Sequence, residues 1–170
     1  GTGNTGGTGN TGGTSGTGGT GNTGGVGGTG NTGGASGAGG AGGDSGTCDG
    51  SKTPSEEACV IDAKYGVFVS PKGDDGAGDG SQAKPYKTLS KAVAAAAATN
   101  KRVYACDDGG GYSETTTLDL TPLDGSALFG GFECAGWTYS TTARAKLSGA
   151  STAAKLEGVQ TGMDLEDLEL

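Results

Sequence analysis

The chain has four cysteines, and their number and spacing indicate their chemistry: Cys48, Cys59, Cys106 and Cys134. An even number of cysteines, without histidine and without a Cys-x-x-Cys pair, favours disulfides over a zinc site. Three pairings are possible, and we favour a small clasp, Cys48–Cys59, together with a tie between two strands, Cys106–Cys134. Reduced, buried thiols are the alternative. Paired cysteines would place the chain outside the cell or at its surface.

Three aspartates in one glycine-rich loop could bind a metal ion. Asp74, Asp75 and Asp79 fall within residues 73–81, and hard cations such as Ca²⁺ take clustered carboxylate oxygens. Their spacing does not match an EF-hand loop. Aspartate and glycine also build tight turns, because aspartate bonds its local backbone and glycine accepts positive φ. The loop is therefore either a set of turns or a calcium site, and calcium is the one cofactor that the sequence leaves open.

Aromatic side chains are the candidates for binding a ligand by stacking. Tyr112 and Trp137 could form a patch on which a glycan stacks, or they could belong to a ring stack in the core. The chain has no histidine, which excludes a Ser-His-Asp triad and a Cys-His pair. No pair of carboxylates stands out as an acid and base either, so we assign no catalytic residue; the sequence favours a non-enzymatic protein and leaves an enzyme as the alternative.

The composition limits the partners that this chain can have. Its 170 residues carry a formal charge of −8 and a sequence pI near 4.4, which argues against a nucleic-acid partner. The sequence contains no run of about 18 apolar residues that could span a membrane. The first charged residue is Asp44, so the whole net charge belongs to the remainder of the chain.

A repeat of three residues fills the start of the chain. Glycine occupies every third position from 3 to 42 except Ser15 and Ser36. A second phase carries threonine at most positions, ending in alanine. A left-handed helix of the polyproline-II type has three residues per turn, so each phase would form one edge. The repeat is similar to polyglycine-II and collagen-like segments.

Glycine edges of this kind would let neighbouring backbones approach and pair, because the helix has no internal hydrogen bonds. The repeat therefore predicts an arm that assembles with copies of itself. The alternative is a disordered linker, since glycine has the most conformational entropy to lose on ordering. The assembly residues that we assign are Gly3, Gly6, Gly9, Gly12, Gly18, Gly21, Gly24, Thr5, Thr8 and Thr11.

The elements that would position the cysteines and aspartates follow Cys48. A strand is predicted over residues 65–70 and a helix over 86–99, with Thr88 as its N-cap and Asn100 after its end. Another strand is predicted over 101–106. Short strands separated by Gly/Asp turns follow at residues 114–120, 127–132, 145–148, 153–156 and 163–170. Similar strands near Val103, Leu128, Leu147 and Leu165 lie about 18 to 25 residues apart, a spacing that suits the coils of a solenoid.

Several segments carry a family resemblance. The run 66–71, the loop 73–81 and the segment 84–92, with its Pro85-Tyr86-Lys87-Thr88, resemble the opening of right-handed parallel β-helix proteins of the pectate-lyase-like superfamily. Residues 103–106, 111–114 and 128–137 are similar to a cysteine-containing branch in surface proteins and lipoproteins of myxobacteria and their relatives. The resemblance covers about residues 60–170 and implies a helix that caps the solenoid.

These features predict an all-β fold, a right-handed parallel β-helix with one N-terminal capping α-helix, preceded by an extended arm that is polyglycine-II-like or disordered. The arm would be residues 1–47. The disulfide-bonded domain would be residues 48–170, and we expect it to be truncated at its C-terminus.

For function, the sequence favours a non-enzymatic extracellular structural or surface protein, a self-assembling filament subunit or stalk and hence a homo-oligomer or homopolymer. The alternatives are a secreted carbohydrate-active protein, a polysaccharide lyase or a glycan-binding module, and an inert tether behind a lipid anchor.

Overall fold

The computed structural model describes residues 47–148 and 152–170, and one α-helix and ten strands form within them. The helix α1 spans Leu89–Thr99. The strands are β1 Gly66–Val69, β2 Arg102–Asp107, β3 Tyr112–Ser113, β4 Leu118–Asp119, β5 Ala127–Glu133, β6 Thr138–Tyr139, β7 Ala145–Ser148, β8 Ala154–Lys155, β9 Asp164–Glu166 and β10 Leu168–Glu169. Single turns of 3₁₀-helix lie at Ala58–Val60 and Thr121–Leu123.

The helix begins and ends where its sequence predicts. The Thr88 hydroxyl accepts a hydrogen bond from the Lys91 N–H at 3.2 Å, as an N-cap side chain does. Asn100 closes the helix in the left-handed conformation, with φ of 52°. One face of α1 is buried, with side chains of Leu89, Ala92, Val93 and Ala96. The predicted helix is therefore confirmed, apart from its first residues.

The strands form three sheets in which almost all pairs are parallel. The main sheet has the order β1-β2-β5, with β9 parallel and β6 antiparallel on the far side of β5. A second sheet has the order β10-β7-β3, and the third is the pair β4-β8. The parallel partners are separated along the chain: β2 pairs with β1, β5 with β2, β7 with β3, and β8 with β4.

The predicted all-β, right-handed parallel β-helix is wrong. The fold is of mixed α/β content, with short parallel strands in small sheets, and no closed sheet or solenoid is present in residues 47–148 and 152–170. Turn-forming Gly and Asp residues limit β3, β4, β8 and β10 to two residues each, too few to continue a coil. The helix is also part of the main core instead of a lid on its end.

Both faces of the main sheet are buried, and side chains alternate between two apolar clusters. Val103 and Ala105 of β2 belong to an inner cluster, together with the buried face of α1 and residues of the two small sheets. Tyr104 and Cys106 of the same strand belong to an outer cluster. The other members of the outer cluster are Phe68, Ala127, Phe129, Phe132 and Trp137. The main sheet is therefore the middle layer of the domain.

The edge of β1 is covered by the segment that leads into α1. The N–H of Phe68 donates to Gly80 O at 2.8 Å, and the N–H of Tyr86 donates to Phe68 O at 3.0 Å. Three further edge strands, β8, β9 and β10, lie among residues 154–170. A bilayer-crossing helix is absent from the described part of the chain, where α1 has only 11 residues.

Candidate functional site

Both disulfides join the cysteines that the sequence analysis favours. Cys48 is bonded to Cys59 and Cys106 to Cys134, and no cysteine of the chain is left free. Cys48 and Cys59 are half-buried, whereas Cys106 has no exposed surface. Cys106–Cys134 joins β2 to the turn after β5. Cys48–Cys59 closes a loop within the segment that precedes β1. The prediction of paired cysteines is confirmed, and it is compatible with an oxidising compartment.

The three aspartates of the glycine-rich loop each accept hydrogen bonds from nearby protein atoms. Asp74 Oδ1 accepts from the N–H groups of Gly76 and Ala77 at 2.7 and 2.9 Å, and Asp79 Oδ1 accepts from Ser81 N–H at 2.9 Å. The Ala77 and Gly76 N–H groups lower the pKa of Asp74, because they stabilise the charged carboxylate. These contacts are those of turns.

Asp75 has a different partner from its neighbours. Its two oxygens accept from the backbone N–H groups of Lys87 and Thr88, at 2.8 and 3.1 Å, and from the Thr88 hydroxyl at 2.8 Å. Asp75 therefore ties the loop to the start of α1, a role that its local sequence does not reveal.

A metal site would need ligand atoms that converge. Among residues 47–148 and 152–170, the one group of three Cys, Asp or Glu side chains with ligand atoms within 4.8 Å of one another is Cys48, Glu57 and Cys59. Both of its sulfurs are consumed by the disulfide. Asp74, Asp75 and Asp79 do not form such a group. Calcium binding by these aspartates stays a prediction, and their turn contacts do not favour it.

Tyr112 and Trp137 lie in different clusters, and each is almost fully buried. Tyr112 is 2% exposed, and its hydroxyl oxygen lies within hydrogen-bond distance of two core carbonyls, 2.7 Å from Val69 O and 2.9 Å from Cys106 O, which share its one proton. Burial raises the pKa of Tyr112 far above its usual range. The ring of Trp137 packs edge-on against Phe68 at 4.7 Å. Glycan stacking on these two rings stays a prediction, and their burial does not favour it.

Residues 48–63, which we call the clasp, cover the outer face of the main sheet without pairing to it as a strand. Side chains of the body hold the clasp by its backbone carbonyls instead. Arg102 donates to the carbonyls of Gly50 and Lys52. Further along, Val60 O accepts from Tyr104 Oη at 2.6 Å, Ile61 O from Gln82 Nε2 at 3.0 Å, and Ala63 O from Lys101 Nζ at 2.6 Å.

A polar cleft of about 350 Å³ opens between the clasp and the main sheet. Its charged side chains are Lys64, Arg102 and Asp164, and it is also lined by Tyr65 and Ser126. The guanidinium of Arg102 lies 5.8 Å from the ring centre of Phe129 at the base of the cleft. The sequence pattern gave no signal for this cleft, because its residues come from five separate segments.

The edge strands β8, β9 and β10 form an apolar end of the molecule, which we call the open end. Each pairs with only one strand, β4, β5 and β7 respectively. Leu156, Leu165 and Leu170 are 46%, 40% and 73% exposed there. Together with buried leucines they line a cavity of about 140 Å³.

The residues assigned to the assembly arm, Gly3, Gly6, Gly9, Gly12, Gly18, Gly21, Gly24, Thr5, Thr8 and Thr11, lie outside the described residues. Comparisons with protein-family models, curated proteins and solved structures found no match to this chain. The family resemblance therefore stays a prediction without support from a relative.

Proposed function

We propose that this protein is a non-enzymatic, extracellular structural protein that associates with copies of itself. The observation that carries this proposal is the open end, where three strand edges and three exposed leucines lie together. The repeat of residues 1–47 would provide a second contact between subunits, through its glycine positions. Contacts at the two regions would build a filament or stalk.

The open end suits association for two physical reasons. Unpaired strand edges present N–H and C=O groups that another chain can bond. Exposed leucine side chains gain about 25 cal/mol for each Å² that a partner removes from water. Because residues 80–86 cover the edge of β1, the same contact is not offered at that side of the main sheet.

The use of acidic side chains supports a structural role. Asp124 accepts from the N–H groups of Gln160, Thr161 and Gly162, at 2.9, 2.8 and 3.0 Å, and so holds the turn before β9. Asp74 and Asp79 hold turns of their own loop in the same manner, and Asp75 holds that loop to the start of α1. Carboxylates that are engaged in this way stabilise turns, and their pKa values are lowered, as for Asp124, by the donating N–H groups.

The first test is the assembly state of the full chain. We expect sedimentation velocity to show concentration-dependent association, and electron microscopy to show regular assemblies. Leu165→Glu should weaken association, because it places a charge on the apolar end. Thr141→Glu adds the same charge at an exposed turn and serves as the matched control. A wild-type chain that stays monomeric at every concentration would refute the proposal.

The contribution of the arm needs its own variant. Replacing Gly6, Gly9 and Gly12 by alanine adds Cβ atoms along one edge of the proposed helix, which should block close packing of backbones. We expect assemblies to be lost while the circular dichroism of the folded domain is unchanged. Assemblies that persist in this variant would remove the arm from the proposal and leave the open end.

The polar cleft favours a second candidate, a glycan-binding module. Its hydroxyl, amine and guanidinium groups are of the kind that bind sugar hydroxyls, and its size falls in the range of small-molecule sites. Binding on a glycan array that is lost with Tyr65→Ala, and is retained with Tyr86→Ala, a half-buried tyrosine outside the cleft, as control, would support it. An array without binding would count against it.

A further inference from the structure

The clasp consists of a covalently closed loop followed by a line of anchors. The Cys48–Cys59 bridge closes residues 49–58 into a loop, and Arg102 holds only carbonyls that lie inside that loop, those of Gly50 and Lys52. The carbonyls of Val60, Ile61 and Ala63 lie after the loop, and each is held by a different side chain of the body. The clasp is therefore attached at two separate places.

This arrangement fixes the route of a force that reaches the domain through residues 1–47. The covalent path enters at Cys48, crosses the disulfide to Cys59 and continues to Val60, whose side chain is fully buried. Residues 49–58 lie beside this path and carry none of the load. The three anchored carbonyls after the loop then resist the force together with the packing of Val60.

Without the bridge the route is different. Two electrons and two protons from a dithiol reductant convert the disulfide to two thiols, and the reductant closes to its own disulfide. The load then runs through residues 49–58, which are held by two hydrogen bonds from the single side chain of Arg102 and by the burial of Pro54. Eleven residue spacings extend to about 36–40 Å, against 6.0 Å between the Cα atoms across the bridge.

We propose that the redox state of the Cys48–Cys59 bridge sets how far the clasp can extend under tension, a device that we call the length stop. The intact bridge passes tension from the arm directly to the anchored carbonyls of Val60, Ile61 and Ala63. Reduction of the bridge releases about 30 Å of chain before the domain unfolds. This inference rests on the proposed structural function for the source of the tension. The exposure of the cysteines supports it, because Cys48 and Cys59 are both half-buried, whereas the Cys106–Cys134 bridge is half-buried at Cys134 and has no exposed surface at Cys106. A reductant can therefore approach either end of the clasp bridge but only one end of the core bridge.

The test is force spectroscopy on single molecules of the full chain, with handles at Gly1 and Leu170. We compare the wild type with the Cys48→Ser/Cys59→Ser variant, which removes this bridge and keeps Cys106–Cys134. The variant should lengthen by about 30 Å in an early, low-force event that the oxidised wild type does not show. The later unfolding event should have the same length in both, which also shows that the variant is folded.

Arg102→Lys provides a matched control, because it removes the two-pronged contact with Gly50 and Lys52 and keeps the charge. When Arg102→Lys is added to the Cys48→Ser/Cys59→Ser variant, the force of the early event should fall. When Arg102→Lys is added to the oxidised wild type, the force–extension curve before unfolding should not change. A serine variant that unfolds in one event, or an oxidised wild type that also releases early, would overturn the length stop. If the serine variant does not fold, wild type treated with a mild dithiol replaces it.

The measurement uses isolated molecules and does not need self-association. A chain that is monomeric in sedimentation but shows the redox-dependent early event would refute the proposed function and support the length stop. A chain that assembles but lacks the early event would support the proposed function and refute the length stop.

Discussion

At the scale of single residues, Glu114 is a buried carboxylate that accepts hydrogen bonds at the start of α1. It is 6% exposed, and its two oxygens accept from Leu89 N–H at 2.7 Å and from the Ser90 hydroxyl at 2.5 Å. With Thr88 and Asp75 it satisfies the donors at the start of α1, which a helix cannot satisfy by itself. Glu114 thus joins α1 to the chain just after β3.

Removing this carboxylate should destabilise the domain. Glu114→Ala leaves buried donors without partners, and we expect the free energy of unfolding to fall by about 2 kcal/mol. Glu114→Gln keeps one acceptor oxygen and should lose less. Denaturant titration followed by circular dichroism measures both. Glu133→Ala, at an exposed position, is the control and should change stability by less than about 0.5 kcal/mol. An equal loss in all three variants would show that the contacts of Glu114 are unimportant.

The roles of Glu114 and Asp75 could not be predicted from the sequence. Glu114 lies 25 residues after the N–H that it binds, and Asp75 lies 13 residues before the hydroxyl that it binds. Local patterns predicted Glu114 in a strand and Asp75 in either a calcium site or a turn, and neither pattern contains the distant partner. The Thr88 cap, in contrast, is encoded within three residues of its partner and was predicted correctly.

At the scale of elements, the packing of β1 against β2 depends on the absence of a side chain at Gly66. A Cβ atom built there would lie 2.1 Å from Cε2 of Tyr104, whose hydroxyl holds the Val60 carbonyl of the clasp. The ring of Tyr104 also packs at 5.1 Å from Phe68 and 5.2 Å from Phe132. The glycine therefore makes room for the central ring of the outer cluster.

We expect Gly66→Ala to cost about 1–3 kcal/mol of unfolding free energy, because the Tyr104 ring must move within a packed cluster. It should also expose the clasp, which proteolysis within residues 48–63 would detect. Gly76→Ala is the matched control, since its Cβ would meet only Asp74 Oδ1, at 3.4 Å. Faster cleavage in the control, or unchanged stability in Gly66→Ala, would contradict this account of the ring.

Helices and strands were predicted well where the residues of a single segment determine them. The helix and the strands β1, β2, β5 and β7 were found at nearly their observed positions, because their apolar residues follow a clear period. The overall architecture was wrong, because the lengths of strands such as β3 and β4 and their division among three sheets depend on turns and contacts far apart in the chain. The clasp has no periodic pattern, and its place on the sheet was missed for that reason.

At the scale of the whole molecule, the many acidic side chains set the pH range of stability. The carboxyls with a lowered pKa are Asp49, Glu56, Asp74, Asp75, Asp79, Asp108, Asp119 and Asp124. Hydrogen bonds account for most of these shifts. Glu166 has the opposite shift: burial, and then Asp167 and Asp164, raise its pKa.

A lowered pKa stabilises the folded state above the unfolded pKa, and that stability is lost as the pH falls through the folded value. We therefore expect stability to decline below about pH 4. Asp167 and burial raise the pKa of Tyr139 to about 12, so its contribution is present below about pH 10 and is lost above it. Thermal unfolding at a series of pH values should show a plateau from about pH 5 to about pH 9. A maximum at the pI of 4.4 would contradict this prediction.

The position of Trp137 has a consequence for spectroscopy. It is the only tryptophan of the chain, it is 7% exposed, and it lies in the outer cluster with Phe68 and Cys106. Intrinsic fluorescence excited at the indole band thus reports on one layer of the domain, while ellipticity from α1 reports on the other. Comparing the two signals during unfolding measures the unfolding rate separately on each side of the main sheet, without any label added to the protein.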